Sequence, residues 1–133
     1  MMEILGLGHI GIWTNDLDAT MKLYCDVLGF RQITSNAGHY PNAVESYFLK
    51  KENVTIEVMY DPVNPRPVGF EGTVDHLSLV VDDVDAAVAE LKALGYQFTP
   101  DKIFFDPYLY EKGQRFASFR GPSNEKIQLE YNF

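Results

Sequence analysis

The chain repeats one pattern twice, and each copy begins with a histidine and closes with a glutamate. The first copy opens with His9-Ile-Gly-Ile-Trp-Thr-Asn-Asp-Leu-Asp-Ala, and the second opens with His76-Leu-Ser-Leu-Val-Val-Asp-Asp-Val-Asp-Ala. Each copy ends in a strand-like segment with a central glutamate, which is Glu57 in the first and Glu130 in the second. Because each half carries two side chains that can bind a metal, the duplication predicts one four-ligand site between the halves.

The first repeat is predicted to fold in the order β-α-β-β-β. Residues 7–13 are predicted to form a strand with Leu7, His9, Gly11 and Trp13 on one face and Gly8, Ile10 and Ile12 on the other. A helix follows, capped by Asn15 or Asp16 and ended by Gly29. The three further strands are predicted over 31–35, 44–50 and 54–60.

The second repeat follows the same order. A strand over 74–81 leads to a helix that is capped by Asp82 or Asp83 and ends at Gly95. The remaining strands are predicted near 96–99, 115–120 and 126–132. Between them the segment 100–113 reads as a long, aromatic-rich loop. Such a loop is either functional or a surface loop packed down by its own aromatic side chains, and the sequence leaves both interpretations open.

Together the repeats predict one α+β domain, 1–133, built from two tandem β-α-β-β-β modules. The modules span 1–60 and 74–133, and a linker rich in Pro and Gly, 61–73, connects them. A module of about 65 residues buries too little apolar surface to be stable alone, so each module should pack its apolar face on the other.

Composition excludes several classes of partner. The chain of 133 residues has a formal net charge of −8, and no stripe of Lys or Arg suggests that it binds nucleic acid. The N-terminus lacks the basic and apolar regions of a signal peptide, and no apolar run reaches the ~18 residues of a membrane span. The single cysteine, Cys25, excludes an internal disulfide and fits a reducing cytoplasm. We expect Cys25 to be a packing residue rather than a nucleophile.

The four repeated residues are predicted to share one face of the sheet. Strand alternation places Glu57 and Glu130 opposite Val/Ile/Leu-rich faces that should pack against the helices, and the same holds for His9 and His76. A carboxylate on the other, concave face must be solvated, paired or bound to metal, because burying a lone charge is costly. Two imidazoles and two carboxylates suit a divalent ion with two open positions. The third histidine, His39, lies outside the pattern and is expected to be exposed.

Longer motifs give the chain a resemblance to a known family. The opening Leu-Gly-His-Ile-Gly-Ile, the helix end Tyr-Cys-Asp-Val-Leu-Gly-Phe and the close Phe-Arg-Gly-Pro-Ser-Asn-Glu-Lys-Ile-Gln-Leu-Glu resemble the vicinal oxygen chelate superfamily. That group includes glyoxalase I, methylmalonyl-CoA epimerase, fosfomycin and bleomycin resistance proteins, and extradiol dioxygenases. The resemblance covers nearly the whole chain. It implies half-barrel sheets around a metal and usually a homodimer.

The resemblance also implies a ligand set and a chemistry. The family's metal positions fall on His9, Glu57, His76 and Glu130, and this His-Glu-His-Glu set is typical of bacterial glyoxalase I. Two adjacent oxygens of a small substrate would bind the ion, which would stabilise an enediolate. The ion would be nickel, cobalt, zinc, manganese or iron. Glu57 or Glu130 would then carry a proton between carbons next to a carbonyl. Trp13 shares the face of His9 and is either a substrate-binding residue or part of the core.

Two positions depart from the glyoxalase I pattern, and they make glutathione a doubtful substrate. That enzyme usually carries an Arg four residues after the first ligand and an Asn four residues after the second, where this chain has Trp13 and Asp61. Other activities of the family are metal-dependent epimerisation, dioxygenation, antibiotic modification and metal-free binding of antibiotics. Dioxygenases leave the second ligand position free and the binding proteins lack the ligands, so Glu57 and the complete set argue against both.

Overall fold

In the computed structural model, residues 1–27, 29–65, 72–120 and 126–133 are described. The sequence also predicts a tight hairpin turn at 121–125; this segment, Leu28 and part of the linker lie outside the described residues. The chain forms two compact units, one of Met1–Gly8 with His76–Phe133 and the other of His9–Asp75. We call them the C-terminal unit and the N-terminal unit. Their boundaries fall within the first and the fifth strands.

The N-terminal unit contains the first β-α-β-β-β repeat. The elements are β1 (Ile4–Thr14), α1 (Leu17–Met21), β2 (Arg31–Ser35), β3 (Glu45–Lys51) and β4 (Val54–Tyr60). The strands lie in the order β2-β3-β4-β1; β1 and β4 are parallel, and the other neighbouring pairs are antiparallel.

The first helix begins where the sequence predicts but does not stay regular. Asp16 caps it, since its carboxylate accepts a hydrogen bond from the backbone N–H of Ala19 at 3.0 Å. After Met21 the chain continues as a wider π-helical stretch, Lys22–Val27. Gly29, with φ of +79°, follows this stretch.

The C-terminal unit contains the second repeat. The elements are β5 (Val74–Val81), α2 (Val84–Ala93), β6 (Phe104–Asp106), β7 (Gln114–Arg120) and β8 (Lys126–Asn132). The strand order is β5-β8-β7-β6, in which β5 and β8 are parallel and the other pairs antiparallel. Asp83 caps α2, because its side chain accepts a hydrogen bond from the backbone N–H of Ala86 at 3.0 Å.

The edge of the second repeat differs from the prediction. The strand expected over 96–99 is reduced to an isolated bridge between Phe98 and Phe119, and the edge strand is β6, inside the segment predicted to be a loop. Phe104 in β6 pairs with Phe116, and their rings stack with centroids 5.3 Å apart. This packing depends on contacts distant in sequence, which local alternation does not contain.

Each helix packs on the apolar face of its own sheet. In the N-terminal unit α1 and the π-helical stretch cover Ile12, Leu49, Ile56 and Val58, and Cys25 packs there as a partly buried side chain. The predicted packing role of Cys25 is therefore confirmed. The C-terminal core is formed by Val81, Val84, Ala87, Val88, Leu91, Phe98, Ala117, Phe119 and Leu129.

The predicted α+β class and the β-α-β-β-β order of both repeats are confirmed. In the part of the chain that the structure describes, no helix has the length and apolar character required to cross a membrane.

Candidate metal centre

His9 and Glu57 meet on the sheet face that points away from the helix of the N-terminal unit. Their strands, β1 and β4, run in parallel, with Gly11 opposite Glu57. His9 Nε2 lies 3.3 Å from Glu57 Oε1, and the two residues are 1% and 9% exposed. The alternation that places Ile56 and Val58 in the apolar core therefore turns Glu57 towards His9.

Phe48 orients the His9 imidazole. It lies opposite Glu57 in the pairing of β3 with β4, and it is fully buried. Its ring contacts His9 edge-on, with centroids 5.0 Å apart and planes at 84°. Packing thus limits the rotation of the imidazole before any ligand binds.

The spacing of His9 and Glu57 fits two ligands of one ion. Two donor atoms that each lie ~2.0–2.2 Å from a metal, at ~90–110° to one another, are separated by ~2.8–3.6 Å. The observed 3.3 Å falls within that interval. A buried imidazole and a buried carboxylate also form a donor pair that zinc, nickel, cobalt, manganese and iron accept.

His76 is the histidine of the second repeat, and it is buried on β5. It is 6% exposed and precedes Ser78 on the same face, whereas Val81 on the other face packs against α2. His76 is thus a buried predicted ligand of the C-terminal unit, as His9 and Glu57 are of the N-terminal unit.

Glu130, the fourth predicted ligand, is fully buried within a polar network of the C-terminal unit. Its Oε2 accepts hydrogen bonds from Ser78 Oγ at 2.8 Å and from Gln114 Nε2 at 3.2 Å. Its Oε1 accepts from Asn132 Nδ2 at 3.3 Å. Neutral donors satisfy both carboxylate oxygens, so the burial of this charge is compensated and its orientation is fixed. We call Ser78, Gln114 and Asn132 the carboxylate cradle.

Gly8 closes over the same carboxylate. A Cβ atom placed on Gly8 would lie 2.4 Å from Glu130 Oε1 and 2.6 Å from its carboxyl carbon. The close approach therefore requires a residue without a side chain. Since Gly8 immediately precedes His9, the backbone next to one predicted ligand packs directly on another.

The residues of the carboxylate cradle carry no signal in the sequence that marks them as a group. Strand alternation places Ser78 on the face of His76 and Asn132 on the face of Glu130, but it does not single them out as hydrogen-bond donors. Gln114 gave no local signal, because its position depends on the register that sets it opposite Asn132.

Trp13 makes a polar contact within the N-terminal unit. Its indole Nε1 donates to Asp75 Oδ2 at 2.5 Å, and Asp75 is only 6% exposed. The backbone N–H of Trp13 also donates to the carbonyl of Thr73 at 3.1 Å. The indole is therefore hydrogen-bonded to a buried carboxylate at the start of β5. A role for Trp13 in substrate binding remains a prediction.

Asp61 orders the backbone after β4. Its Oδ1 accepts hydrogen bonds from the N–H groups of Val63 at 3.0 Å and Asn64 at 2.9 Å, which is an Asx turn.

His39, predicted to be exposed, lies in a turn on the surface.

Arg115 is engaged in a bidentate pair with Asp85, at 2.5 and 2.6 Å. The hydrogen bond to Arg115 lowers the pKa of the Asp85 carboxyl.

The chain is similar to known proteins over most of its length. The family model described as the Glyoxalase/Bleomycin resistance protein/Dioxygenase superfamily matches residues 8–117. The chain is 31% identical to the uncharacterized protein YaeR of Escherichia coli, over 97% of this chain and 98% of that protein. It is 24% identical to a probable lactoylglutathione lyase of Synechocystis, over 91% of each chain.

Among solved structures, methylmalonyl-CoA epimerase from Mycobacterium tuberculosis shares the fold. The TM-score is 0.77 at 19% identity, over 98% of this chain and 89% of the epimerase.

Proposed function

The chain belongs to the glyoxalase/bleomycin resistance protein/dioxygenase superfamily, and on this premise we propose that it is a divalent-metal-dependent lyase or isomerase of the glyoxalase I type. Its reaction would shift a proton at a carbon next to a carbonyl group. The observation that carries the proposal is the buried pair of His9 and Glu57, whose donor atoms lie 3.3 Å apart. A buried carboxylate beside a buried imidazole is costly unless a charge or a ligand compensates it.

His9, Glu57, His76 and Glu130 are the proposed ligands of the ion. When bound, a divalent ion supplies a Lewis acid that stabilises negative charge on adjacent substrate oxygens. The equivalent placement of the four residues in the two repeats supports this assignment, as does the burial of all four side chains.

Glu57 and Glu130 have different surroundings, which suggests different roles. The Glu57 side chain keeps 12% of its surface exposed, whereas Glu130 has none and is held by the carboxylate cradle. A proton carrier must reach the substrate carbon, so we assign the proton transfer first to Glu57. The role of Glu130 is then to hold the ion and, in a two-base reaction, to serve the opposite side of the substrate.

Epimerisation is the second candidate, and the residues Trp13 and Asp61 favour it. In glyoxalase I these positions hold glutathione, but here Trp13 donates to Asp75 and Asp61 caps a turn. An epimerase removes a proton and returns it to the same carbon, which requires the same metal and carboxylates without those glutathione residues. The substrate of either reaction is a small molecule with adjacent oxygens.

Proton exchange with solvent tests both candidates. Protein purified without chelator is loaded in turn with nickel, cobalt, zinc, manganese and iron(II) and incubated in D2O with methylmalonyl-CoA, or with methylglyoxal and glutathione. We expect metal-dependent deuterium incorporation or turnover with one substrate, reduced ~10²–10⁴-fold in Glu57→Gln and Glu130→Gln. Circular dichroism confirms that the variants are folded. Unchanged turnover in both variants would show that the carboxylates have only a structural role.

A further inference from the structure

Two cations lie on the ligand-bearing face of the N-terminal unit, beyond Phe48. Lys50 follows Phe48 by two residues on β3, so both side chains point to the same side of the sheet. Leu49 between them packs into the apolar core beneath the helix, which confirms the alternation. Arg31 lies directly opposite Lys50 in the pairing of β2 with β3 and therefore shares this face.

Arg31 and Lys50 form no ion pair among the described residues, whereas other basic residues of the chain do. Lys92 forms an ion pair with Asp101, and Arg115 forms one with Asp85. Arg31 and Lys50 are both exposed, and the ion pairs among the described residues include neither of them. Like charges directly opposite one another on neighbouring strands destabilise a sheet, so this pair has a cost that an anionic ligand would offset.

The surroundings leave room for such a ligand. Arg31 and Lys50 line an open cleft of about 500 Å³, together with Gly29, Lys51 and Glu52. Three of its five lining residues are basic and one, Glu52, is acidic, so the lining has a formal charge of +2 (+3 − 1) in a chain whose formal net charge is −8. Lys50 is displaced from the Phe48–Glu57 pair by two residues, or ~6.6–6.8 Å along the strand.

We infer that Arg31 and Lys50 form an anion-binding subsite for a carboxylate or phosphate of the substrate, several bonds away from the carbon that exchanges its proton. The inference rests on the proposed function for the position of the reacting carbon. It narrows the substrate class to acids and phosphate esters. Arg can bind such a group with two parallel hydrogen bonds, and Lys adds a point charge.

Binding of two anionic probes tests the subsite. Titration calorimetry on the metal-loaded protein uses coenzyme A, which carries phosphates, and S-methylglutathione, which carries only carboxylates. Arg31→Gln and Lys50→Gln remove one charge each, and Lys22→Gln is the control, since Lys22 is exposed and outside the cleft. For at least one probe we expect affinity to fall roughly tenfold in each subsite variant and less than about twofold in the control. The affinity should also fall with added salt.

The pattern of losses identifies the anion. If the subsite variants lose affinity only for coenzyme A, the subsite binds phosphate. If they lose affinity only for S-methylglutathione, it binds carboxylate. Equal weakening in the Lys22 control, unchanged binding in both subsite variants, or failure of both probes to bind at about 5 mM would overturn the inference. Because binding is measured without turnover, an inactive protein with subsite-dependent binding would overturn the proposed function alone.

Discussion

Glu130 Oε2 accepts a hydrogen bond from Ser78 Oγ at 2.8 Å, and both residues are completely buried. The bond joins β5 to its parallel neighbour β8, one strand carrying His76 and the other Glu130. Gln128 Nε2 in turn donates to Ser78 Oγ at 3.3 Å, so the hydroxyl lies between an amide and a carboxylate. The network thus fixes a charged group inside the C-terminal unit.

Ser78→Ala should destabilise the protein and weaken metal binding. Loss of one donor to a buried carboxylate costs about 1–3 kcal/mol in the free energy of unfolding. Urea unfolding measures the stability, and calorimetric titration with zinc measures the metal affinity. Ser118→Ala is the control, because Ser118 lies opposite Gln128 on β7 and is only partly buried. Equal effects of the two substitutions would show that the bond to Glu130 has no special role.

Gly8→Ala should lower stability because the new Cβ overlaps the Glu130 carboxylate. The overlap, 2.4 Å from Oε1, forces the carboxylate or β1 to move, at about 1–3 kcal/mol. The measurement is a double-mutant cycle by urea unfolding. In a Glu130→Ala background the same substitution should cost at least about 0.5 kcal/mol less. An identical cost in both backgrounds would contradict the close approach of Gly8 to Glu130.

The hemithioacetal of glutathione should be a poor substrate. Trp13 stands where an Arg would bind a glutathione carboxylate, and Asp61 adds a negative charge where an amide would stand. The anion subsite proposed at Arg31 and Lys50 could recover part of the binding, but not the missing contacts. Turnover with kcat/KM above ~10⁵ M⁻¹s⁻¹ on any of the metals would restore the plain glyoxalase I assignment.

We expect the protein to be a homodimer in solution. In β1 the side chains of Ile4, Leu5 and Leu7 are 47–56% exposed, and a second copy would cover such an apolar strand. Light scattering after size-exclusion chromatography at micromolar concentration measures the mass. A mass of one chain would rule out the dimer.

Regular elements could be predicted from the sequence where one face is apolar along their whole length. The strand over 54–60 has the predicted bounds, because Val54, Ile56 and Val58 alternate with Thr55 and Glu57. The strands over 31–35 and 74–81 also have the predicted bounds. The π-helical stretch and β6 could not be predicted in this way. β6 depends on its pairing with β7, in which Phe104 stacks on Phe116.

The same distinction applies to the candidate metal centre. Repetition marks His9 and Glu57, and the structure places them 3.3 Å apart. The donors around Glu130 are not repeated in this way. Gln114, for example, donates to Glu130 only because of the register between β7 and β8. Repeated residues can be read from one sequence, whereas the side chains that position them depend on tertiary packing.

The central claim is that four residues of the two repeats bind one divalent ion. Anomalous diffraction from crystals of the zinc-loaded protein tests it most directly. We expect a single peak per chain with His9, Glu57, His76 and Glu130 each ~2.0–2.3 Å away. An ion held elsewhere, or Glu57 and Glu130 on opposite sides of the sheet with neither in contact with the metal, would contradict the claim.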